Sequence, residues 1–437
     1  RKPMKALILD GSPAGDSTGD RVAAILEKHL AAKGYEAEHV ELRDKTLGHC
    51  RGCFHCWLKT PGVCIIDDDN RELSRKFIQS DLTIFLTPVA FGAYSPELKR
   101  MLDHFIANIS PFFTTIDGET HHRMRYDRYP DVMIAGWIDQ PDQMQEALFN
   151  HLAWRNTINF NGKRRAWGIV DRHADDRVLK SQLEALARQL DSPASQRQAT
   201  LPRIAAEAAA TPPRKVALLV GSPRMAKSSS AALGGYLLDR LAGQGLATET
   251  IYIHKAMRDA KKLQAMLDAI DRADLCILAF PLYIDSIPAP VLTLMRTIHE
   301  RRAGLPQKGA FAAIANCGFI ESSQNESALG SCAAFAKAAG LRWMGSISIG
   351  GGEGLVHGRA LAELGGPVTP FKKALDRVAA AFAAGKPMPE EARQQLAKPF
   401  IPAWLYRFVG SRNWKKEARR NGVAQQIDAK PYQRVAG

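Results

Sequence analysis

The chain has 437 residues, 46% of them hydrophobic and 24% charged, which is typical of a globular protein with enough apolar material for a core. This length predicts two or three domains. No run of about 18 uncharged apolar residues occurs, which argues against a membrane span. The N-terminus has no apolar secretory segment, so we expect a cytoplasmic protein.

The formal net charge is +14, and the whole excess lies after residue 200, with half of it in residues 386–437. A basic tail can meet nucleic acid or an anionic membrane, but it is more often a solvated surface. No nucleic-acid-binding motif accompanies it, so no nucleic-acid partner is predicted. Residues 400–414 mix aromatic and basic side chains, which suggests either a membrane-surface helix or, as we expect, packing on the nearest domain.

The first half alternates strands and helices. Apolar runs predict strands at 5–10, 37–42, 82–86, 132–136 and 166–170. Periodicity and capping signals predict a helix that ends at Gly34, a helix that starts near 67–69, and helices at 96–106, 141–154 and 174–190. Strict alternation of this kind predicts a parallel, doubly wound sheet.

The pattern begins again after residues 191–213, a stretch rich in Ala, Ser, Pro and Gln that predicts a linker. In the second half we predict strands at 215–220, 275–280, 311–316 and 343–349, with helices at 229–241 and from Pro290. Gly-Ser-Pro at 11–13 recurs at 221–223, and the proline after a strand at 88 recurs at 281. The first interval is 17 residues longer, which the cysteine-rich segment explains, and internal duplication is the best account.

Three loops of each half follow strands whose carboxyl ends should meet at one sheet edge. The first loop places hydroxyls and backbone N–H groups at a helix start, where an anion such as phosphate is stabilised. In the second half this loop also has two cations, Arg224 and Lys227, whereas the first half has none and contains Asp16. The second and third loops combine proline, aromatic and small residues, which lets backbone amides approach a flat ring.

Residues 221–230 (GSPRMAKSSS), 280–288 (FPLYIDSIP), the run C-x2-C-x2-C-x7-C, and 87–104 (TPVAFGAYSPELKRMLDH) together resemble the NAD(P)H-dependent FMN reductase and iron–sulfur flavoprotein family. The resemblance implies two tandem flavodoxin-like α/β domains with doubly wound parallel sheets. It gives the boundaries 4–190 for the first domain, with the cysteine segment as an insertion, and 214–385 for the second. A helical basic C-terminal tail, 386–437, is expected to pack on the second domain.

The resemblance also implies the residues that hold FMN. Phosphate-loop residues would be Ser222, Pro223, Arg224, Ser228, Ser229 and Ser230 in the second half, and Ser12, Ser17 and Thr18 in the first. Residues at the flavin ring would be Pro281, Leu282, Tyr283, Asn316 and Gly318, and Pro88, Val89, Phe91 and Gly92. No general acid or base is assigned, because flavin chemistry needs orientation and electrostatics from the protein.

Four of the seven cysteines, Cys50, Cys53, Cys56 and Cys64, fall within fifteen residues. Three hypotheses stay open: a [4Fe–4S] cluster, which the family resemblance supports, structural or redox-active thiols, and zinc, whose usual spacings pair cysteines further apart. Residues 111–130, rich in aromatic, His and Arg side chains, suggest either a lid over an anionic partner or an ordered packing loop.

These observations predict an NAD(P)H-dependent FMN oxidoreductase that passes electrons to a small acceptor such as a quinone, flavin, nitro compound or metal ion. One alternative is an electron-transfer protein that uses FMN and a [4Fe–4S] cluster. Another is a binding or scaffold protein in which one or both flavin sites have lapsed, and Asp16 makes the first half the likelier to have lapsed. A homo-oligomer or a pseudo-dimer within the chain is also considered.

Overall fold

A computed structural model describes residues 3–191, 201–202 and 204–434. It divides into two compact units: the first holds the chain up to the linker together with residues from Arg407 onward, and the second holds 201–406. Ten residues of the predicted linker, 192–200 and 203, lie outside the described residues.

The first unit is built on a five-stranded parallel sheet of order β2-β1-β3-β6-β7. Its strands are β1 Met4–Asp10, β2 Tyr35–Glu41, β3 Leu82–Pro88, β6 Asp131–Trp137 and β7 Arg165–Val170, and an antiparallel hairpin is formed by β4 Ile109–Ile116 and β5 Glu119–Met124. Its helices are α1 Thr18–Ala32, α2 His55–Leu58, α3 Asp69–Gln79, α4 Pro96–Leu102, α5 Gln143–Asn159 and α6 Asp176–Arg188.

The second unit repeats this architecture with the sheet order β9-β8-β10-β11-β12, again fully parallel. Its strands are β8 Lys215–Val220, β9 Ala247–Tyr252, β10 Leu275–Pro281, β11 Ala310–Asn316 and β12 Arg342–Ile349. Its helices are α7 Ser229–Ala242, α8 Ile253–Ala256, α9 Ala260–Arg272, α10 Ala289–Arg302, α11 Glu326–Ala338, α12 Gly352–Val356, α13 Thr369–Ala383 and α14 Glu390–Ala397. The last helix, α15 Ala403–Arg420, belongs to the first unit from Arg407 onward.

Short polar side chains fix where several helices begin. Ser95 caps α4 by accepting a hydrogen bond from the Leu98 N–H, and a proline fills the first helical position. Ser228 does the same for α7 through the Ala231 N–H. Because these caps directly follow the strand-end loops, they also fix the position of the candidate site residues.

Each unit has its own hydrophobic core between its sheet and helices. In the first, Ile8, Val22 and Leu26 are buried, and in the second, Leu218, Leu237 and Phe382 are buried. The order 2-1-3-4-5 occurs in both sheets and is that of flavodoxin-like folds. The predicted fold class, two tandem flavodoxin-like domains with a helical C-terminal region, is therefore confirmed.

The cysteine-rich segment accounts for the unequal length of the two repeats. Residues 42–68 separate β2 from α3, whereas only residues 253–259 separate the equivalent β9 from α9. The insertion therefore lies beyond the carboxyl end of an edge strand, where it changes neither the strand order nor the core.

The structure corrects one expectation about the tail. Residues 386–406 lie in the second unit, but 407–437 were also expected there and instead group with the first unit. Phe112 of the hairpin packs against Ala418, Val423 and Ile427, which supplies the apolar contact that holds this part of the tail. The tail's amphipathic pattern predicted a buried face but did not identify the surface that covers it.

Candidate functional site

The three predicted loops of the first unit meet at one edge of its sheet. They follow β1, β3 and β6, which are neighbours, and the strand order reverses between β1 and β3. Ser95 Oγ donates to the Gly11 carbonyl at 2.7 Å, which joins the second loop to the first, and the Val89 N–H donates to the Trp137 carbonyl at 2.8 Å. This reversal point is where open α/β sheets bind ligands.

The second loop makes the same tight turn in both units. Phe91 and Gly92 have φ of 57° and 77°, and their counterparts Ile284 and Asp285 have 49° and 56°. Left-handed backbone at a β-branched residue such as Ile284 is rare and strained. The shared turn directs the preceding residues, among them Val89, along the sheet edge.

Most predicted ring residues line these turns. Pro88, Val89, Pro281, Leu282 and Tyr283 are half-buried, Phe91, Gly92 and Asn316 are buried, and Gly318 is exposed. In the second unit the Leu282 N–H donates to the Asn316 carbonyl at 2.8 Å, matching the contact between Val89 and Trp137. The structure thus brings together the second and third loops in both units.

Asp16, the acidic residue of the first unit's phosphate loop, is held by three donors. Its carboxylate accepts hydrogen bonds from the Thr18 N–H at 3.0 Å, from Trp137 Nε1 at 3.1 Å and from Arg172 Nη2 at 3.0 Å. Burial works to raise the pKa of Asp16, but the Thr18 and Trp137 hydrogen bonds and the charge of Arg172 outweigh it and lower the pKa. The loop leaves the exposed Ser17 hydroxyl and the N-terminus of α1 for a phosphate.

A second carboxylate, Asp10, is buried at the end of β1 beneath the same loop. It accepts from the backbone N–H and the hydroxyl of Ser12 at 2.8 and 2.6 Å, and its other oxygen lies 3.2 Å from His39 Nε2. A side chain at Gly19 would overlap this carboxylate, so the close approach of α1 requires glycine there. The hydroxyl of Ser12 therefore supports Asp10, while Ser17 is exposed on the loop and Thr18 is buried.

The first loop of the second unit has more donors, and an internal carboxylate already binds them. Arg224 pairs with Glu353 at 2.9 Å, and the Ser229 hydroxyl donates to the same carboxylate at 3.1 Å. Ser222 and Ser228 accept from backbone N–H groups within the loop, whereas Ser230 Oγ accepts from Asn316 Nδ2 at 2.9 Å. Glu353 was not predicted as a site residue, because only the folded chain brings it here.

All four clustered cysteines line one cavity. Cys50, Cys53, Cys56 and Cys64 surround it together with apolar side chains and His104. Left-handed backbone at Gly52 and Phe54 (φ 58° and 55°) turns the loop so that the sulfurs converge. Such a set of four sulfurs in apolar surroundings can hold an iron–sulfur cluster.

Burial makes two thiols of this cavity, those of Cys50 and Cys56, hard to ionise on their own. Burial, together with the neighbouring Cys sulfurs, raises the pKa of Cys50 to about 12 and that of Cys56 well above the usual value. Cys64 Sγ lies 3.5 Å from His104 Nδ1, and His104 Nε2 lies 2.9 Å from the Gly48 carbonyl. Metal binding at this cavity would therefore release protons.

A second group of possible metal ligands lies at the end of β1. Across residues 3–191, 201–202 and 204–434, one group of three or more ligand side chains has all its ligand atoms within 4.8 Å, and it is Asp10, Asp20 and His39.

Trp414 of the tail packs against two aromatic residues of the cysteine segment. Phe54 stacks on Trp57 with ring centroids 5.3 Å apart, and Trp414 meets Trp57 edge-on at 5.1 Å. Trp57 Nε1 donates to the Ile106 and Ile109 carbonyls, both at 3.0 Å. The contact between Trp57 and Trp414 was not predicted, since no local signal links residues 357 positions apart.

The His/Arg-rich stretch, 111–130, is mostly the β4–β5 hairpin. His122 is buried against Trp57, with ring centroids 4.8 Å apart, and burial lowers its pKa to about 4. Arg125 donates to the Ile427 and Ala429 carbonyls of the tail at 3.0 and 2.8 Å. Of the two predicted roles for this stretch, these contacts agree with ordered packing.

Residues 4–168 match the model of the NADPH-dependent FMN reductase family, which confirms the predicted family resemblance. An iron–sulfur flavoprotein of Methanocaldococcus jannaschii is 35% identical over 100 residues, covering 23% of this chain and 51% of that protein. An FMN-dependent NADPH-azoreductase of Staphylococcus aureus is 33% identical over 101 residues, covering 23% of this chain and 52% of that protein. The chain thus spans about half the length of these relatives.

Among solved structures, an NAD(P)H:quinone oxidoreductase from Methanothermobacter marburgensis is similar with a TM-score of 0.34 and 12% identity. The likeness covers 44% of this chain and 99% of that one. Among the residues that the structure describes, no helix is long and apolar enough to cross a bilayer.

Proposed function

We propose that the chain is an NAD(P)H-dependent flavin oxidoreductase that binds FMN in its first domain and reduces a small acceptor. The observation that supports this most directly is the convergence of three loops at the strand-order reversal of a domain that matches the FMN reductase family. Relatives named as an azoreductase and as iron–sulfur flavoproteins favour small acceptors and a second redox group. We also propose a cytoplasmic location.

Bound FMN would supply the hydride and electron chemistry. In the first domain the α1 N-terminus, Ser17 and Thr18 would bind the phosphate, and the ring would lie against Pro88 and Val89. The buried Phe91–Gly92 turn holds that wall rigid, because Ala90 and Ala93 exchange backbone hydrogen bonds across it. These residues would bind and orient the FMN, and no proton transfer is assigned to a side chain.

Ser17→Asp tests the flavin site. A carboxylate added at this exposed loop position should repel the phosphate and weaken FMN binding by about 100-fold, since opposed like charges cost several kcal/mol. FMN affinity would be measured by quenching of flavin fluorescence in the full chain. The matched control is Lys227→Asp, the equivalent position of the second domain, which should leave first-domain affinity unchanged.

NADPH oxidation, with a quinone and an azo dye as acceptors, distinguishes an oxidoreductase from an electron carrier. A purified chain that lacks flavin absorbance and binds no added FMN would contradict the proposed function. A flavin-loaded chain that is reduced by NADPH only through a partner reductase would favour the carrier alternative.

We further propose that Cys50, Cys53, Cys56 and Cys64 hold an iron–sulfur cluster of the [4Fe–4S] type. The support is the single cavity that the four cysteines line and the similarity to relatives named as iron–sulfur flavoproteins. Cys53→Ser should then abolish the cluster's broad visible absorbance and lower the iron content per chain. Cys332→Ser, which alters a buried thiol of the second unit, should retain both. Stoichiometric zinc without iron in anaerobically purified protein would contradict the cluster.

A further inference from the structure

The glycine-rich run that follows β12 has no place in the chemistry proposed so far. It begins at Gly350, forms the short helix α12 and carries Glu353 across the sheet edge to the start of α7. There the Glu353 carboxylate accepts from Arg224 Nη1 at 2.9 Å, from Arg224 Nη2 at 3.3 Å and from the Ser229 hydroxyl at 3.1 Å. A planar guanidinium and a helix-start hydroxyl on one anion are the contacts that a phosphate group would receive.

The glycines let this segment lie directly on the third loop. A side chain at Gly350 would overlap the Ile320 carbonyl, and one at Gly352 would meet Asn316 at 2.7 Å. Gly351 has φ of 64°, which favours glycine independently of space. The segment therefore packs closely on the loop that would contact a flavin ring.

Two aromatic residues of the same unit complete this cover. A side chain at Gly351 would meet the Phe400 ring at 2.7 Å, and the Tyr406 hydroxyl donates to the Gly318 carbonyl at 2.7 Å. The Gly318 carbonyl and the Asn316 side chain are thus both in contact with the second unit's own chain, whereas a side chain at Gly318 would meet nothing within 4 Å. A flavin ring packed against Asn316 would have to displace the glycine run.

We propose that the first loop of the second domain is a phosphate-type anion site whose occupant is the chain's own Glu353 carboxylate. As a consequence, this domain takes no FMN, and the one flavin that the proposed function requires binds in the first domain. The FMN part of this inference rests on the proposed function, whereas the anion site does not.

The exposure of the Arg224 and Glu353 side chains affects how strongly the carboxylate is held at the anion site. The Arg224 and Glu353 side chains are 39% and 52% exposed, and ion pairs of that kind are individually weak. The Glu353 carboxylate is therefore held in the anion site by three contributions together: its bidentate pair with Arg224, the Ser229 hydroxyl and the close packing of the glycine run. Removing the carboxylate should leave the donors in place and open them to a dissolved anion.

Glu353→Ala in the full chain, titrated with inorganic phosphate by calorimetry, tests the anion site. We expect the variant to bind one phosphate at least tenfold more tightly than the wild-type chain, and Glu353→Ala combined with Arg224→Ala to lose that gain. Glu363→Ala, which removes an exposed glutamate 3.8 Å from Arg359, is the matched control and should gain nothing. Glu353→Gln, which keeps the side-chain size, replaces the alanine variant if that variant fails to fold.

No gain in phosphate binding, or a gain that survives loss of Arg224, would overturn the anion site. Flavin stoichiometry tests the consequence: one FMN per chain is expected in the wild type and in Glu353→Ala, because the glycine run still packs on Asn316 in the variant. Two FMN per wild-type chain would overturn the inference that the second domain takes no FMN. A wild-type chain with no FMN would refute the proposed function instead, and the phosphate titration would still decide the anion site.

Discussion

The Asp10–His39 pair shows how one residue can make the phosphate-loop region sensitive to pH. The hydrogen bond and charge of Asp10 raise the pKa of His39, although burial opposes them. A histidine whose pKa is higher in the folded state than in the unfolded state stabilises the folded protein. The full contribution is present at pH values below the unfolded-state pKa of about 6.5, and it is lost as pH rises through the folded-state pKa.

His39→Gln should therefore reduce the free energy of unfolding by about 1 kcal/mol at pH 6 and by less at pH 9. Urea unfolding at the two pH values measures the difference. His29→Gln is the control, and the opposite effect is expected for it. Because burial lowers the pKa of His29, replacing this residue should increase the free energy of unfolding at low pH. Equal losses at both pH values for His39→Gln would show that the pair acts by packing alone.

Residue-scale detail was only partly predictable. The Gly-Ser-Pro loops and the four cysteines were visible because their chemistry is local in sequence. Glu353 was not, since its partner Arg224 lies 129 positions away. Asp16 was recognised as opposed to phosphate, but the donors that engage it, Trp137 at the end of β6 and Arg172 in the turn after β7, are distant in sequence.

Among the elements, the hairpin and the last helix build a cover for the cysteine segment. Nine of the ten sheet strands were predicted, because buried parallel strands are continuous apolar runs. The mostly exposed edge strand β9 was missed, since its sequence has no such run. The β4–β5 hairpin was not, since its histidines and arginines mask any alternation of polar and apolar positions. The tail helix was predicted, but its partner surface depends on contacts such as Phe113 against Gly410 that sequence does not encode locally.

Trp414→Ala should remove the edge-on contact with Trp57 and the neighbouring contact with Phe54. We expect a loss of about 2 kcal/mol in the free energy of unfolding, below the usual range for fully buried aromatics because Trp414 is half-buried. The thiols of the cysteine segment should also react faster with a thiol reagent. Trp404→Ala, on the same helix but 64% exposed, is the control and should change neither property.

At the scale of the whole molecule, the chain consists of two units with equal strand order and separate cores. Duplication was detectable because the strand-end loops recur in order along the sequence. The cysteine insertion in the first unit was detectable from the same comparison. The carboxylate of Glu353 at the first loop of the second unit was not, because Glu353 and Arg224 are far apart in sequence.

Separate cores predict two calorimetric unfolding transitions. Leu26→Ala in the first core and Leu237→Ala in the second should each cost about 2–5 kcal/mol and lower only one transition temperature, a different one in each variant. Scanning calorimetry of the two variants beside the wild type decides the matter. A single transition that both variants shift would show that the units unfold as one cooperative body.

The cover over the cysteine cavity has a consequence for biosynthesis. The four sulfurs leave the ribosome when the chain has grown past Cys64, whereas Trp414 follows 350 residues later. Domains fold as they emerge, the N-terminal one first. The cavity is therefore open to assembly factors throughout synthesis of the second domain, and it closes only when α15 has been made. A metal group would be inserted during translation and afterwards retained by this later helix.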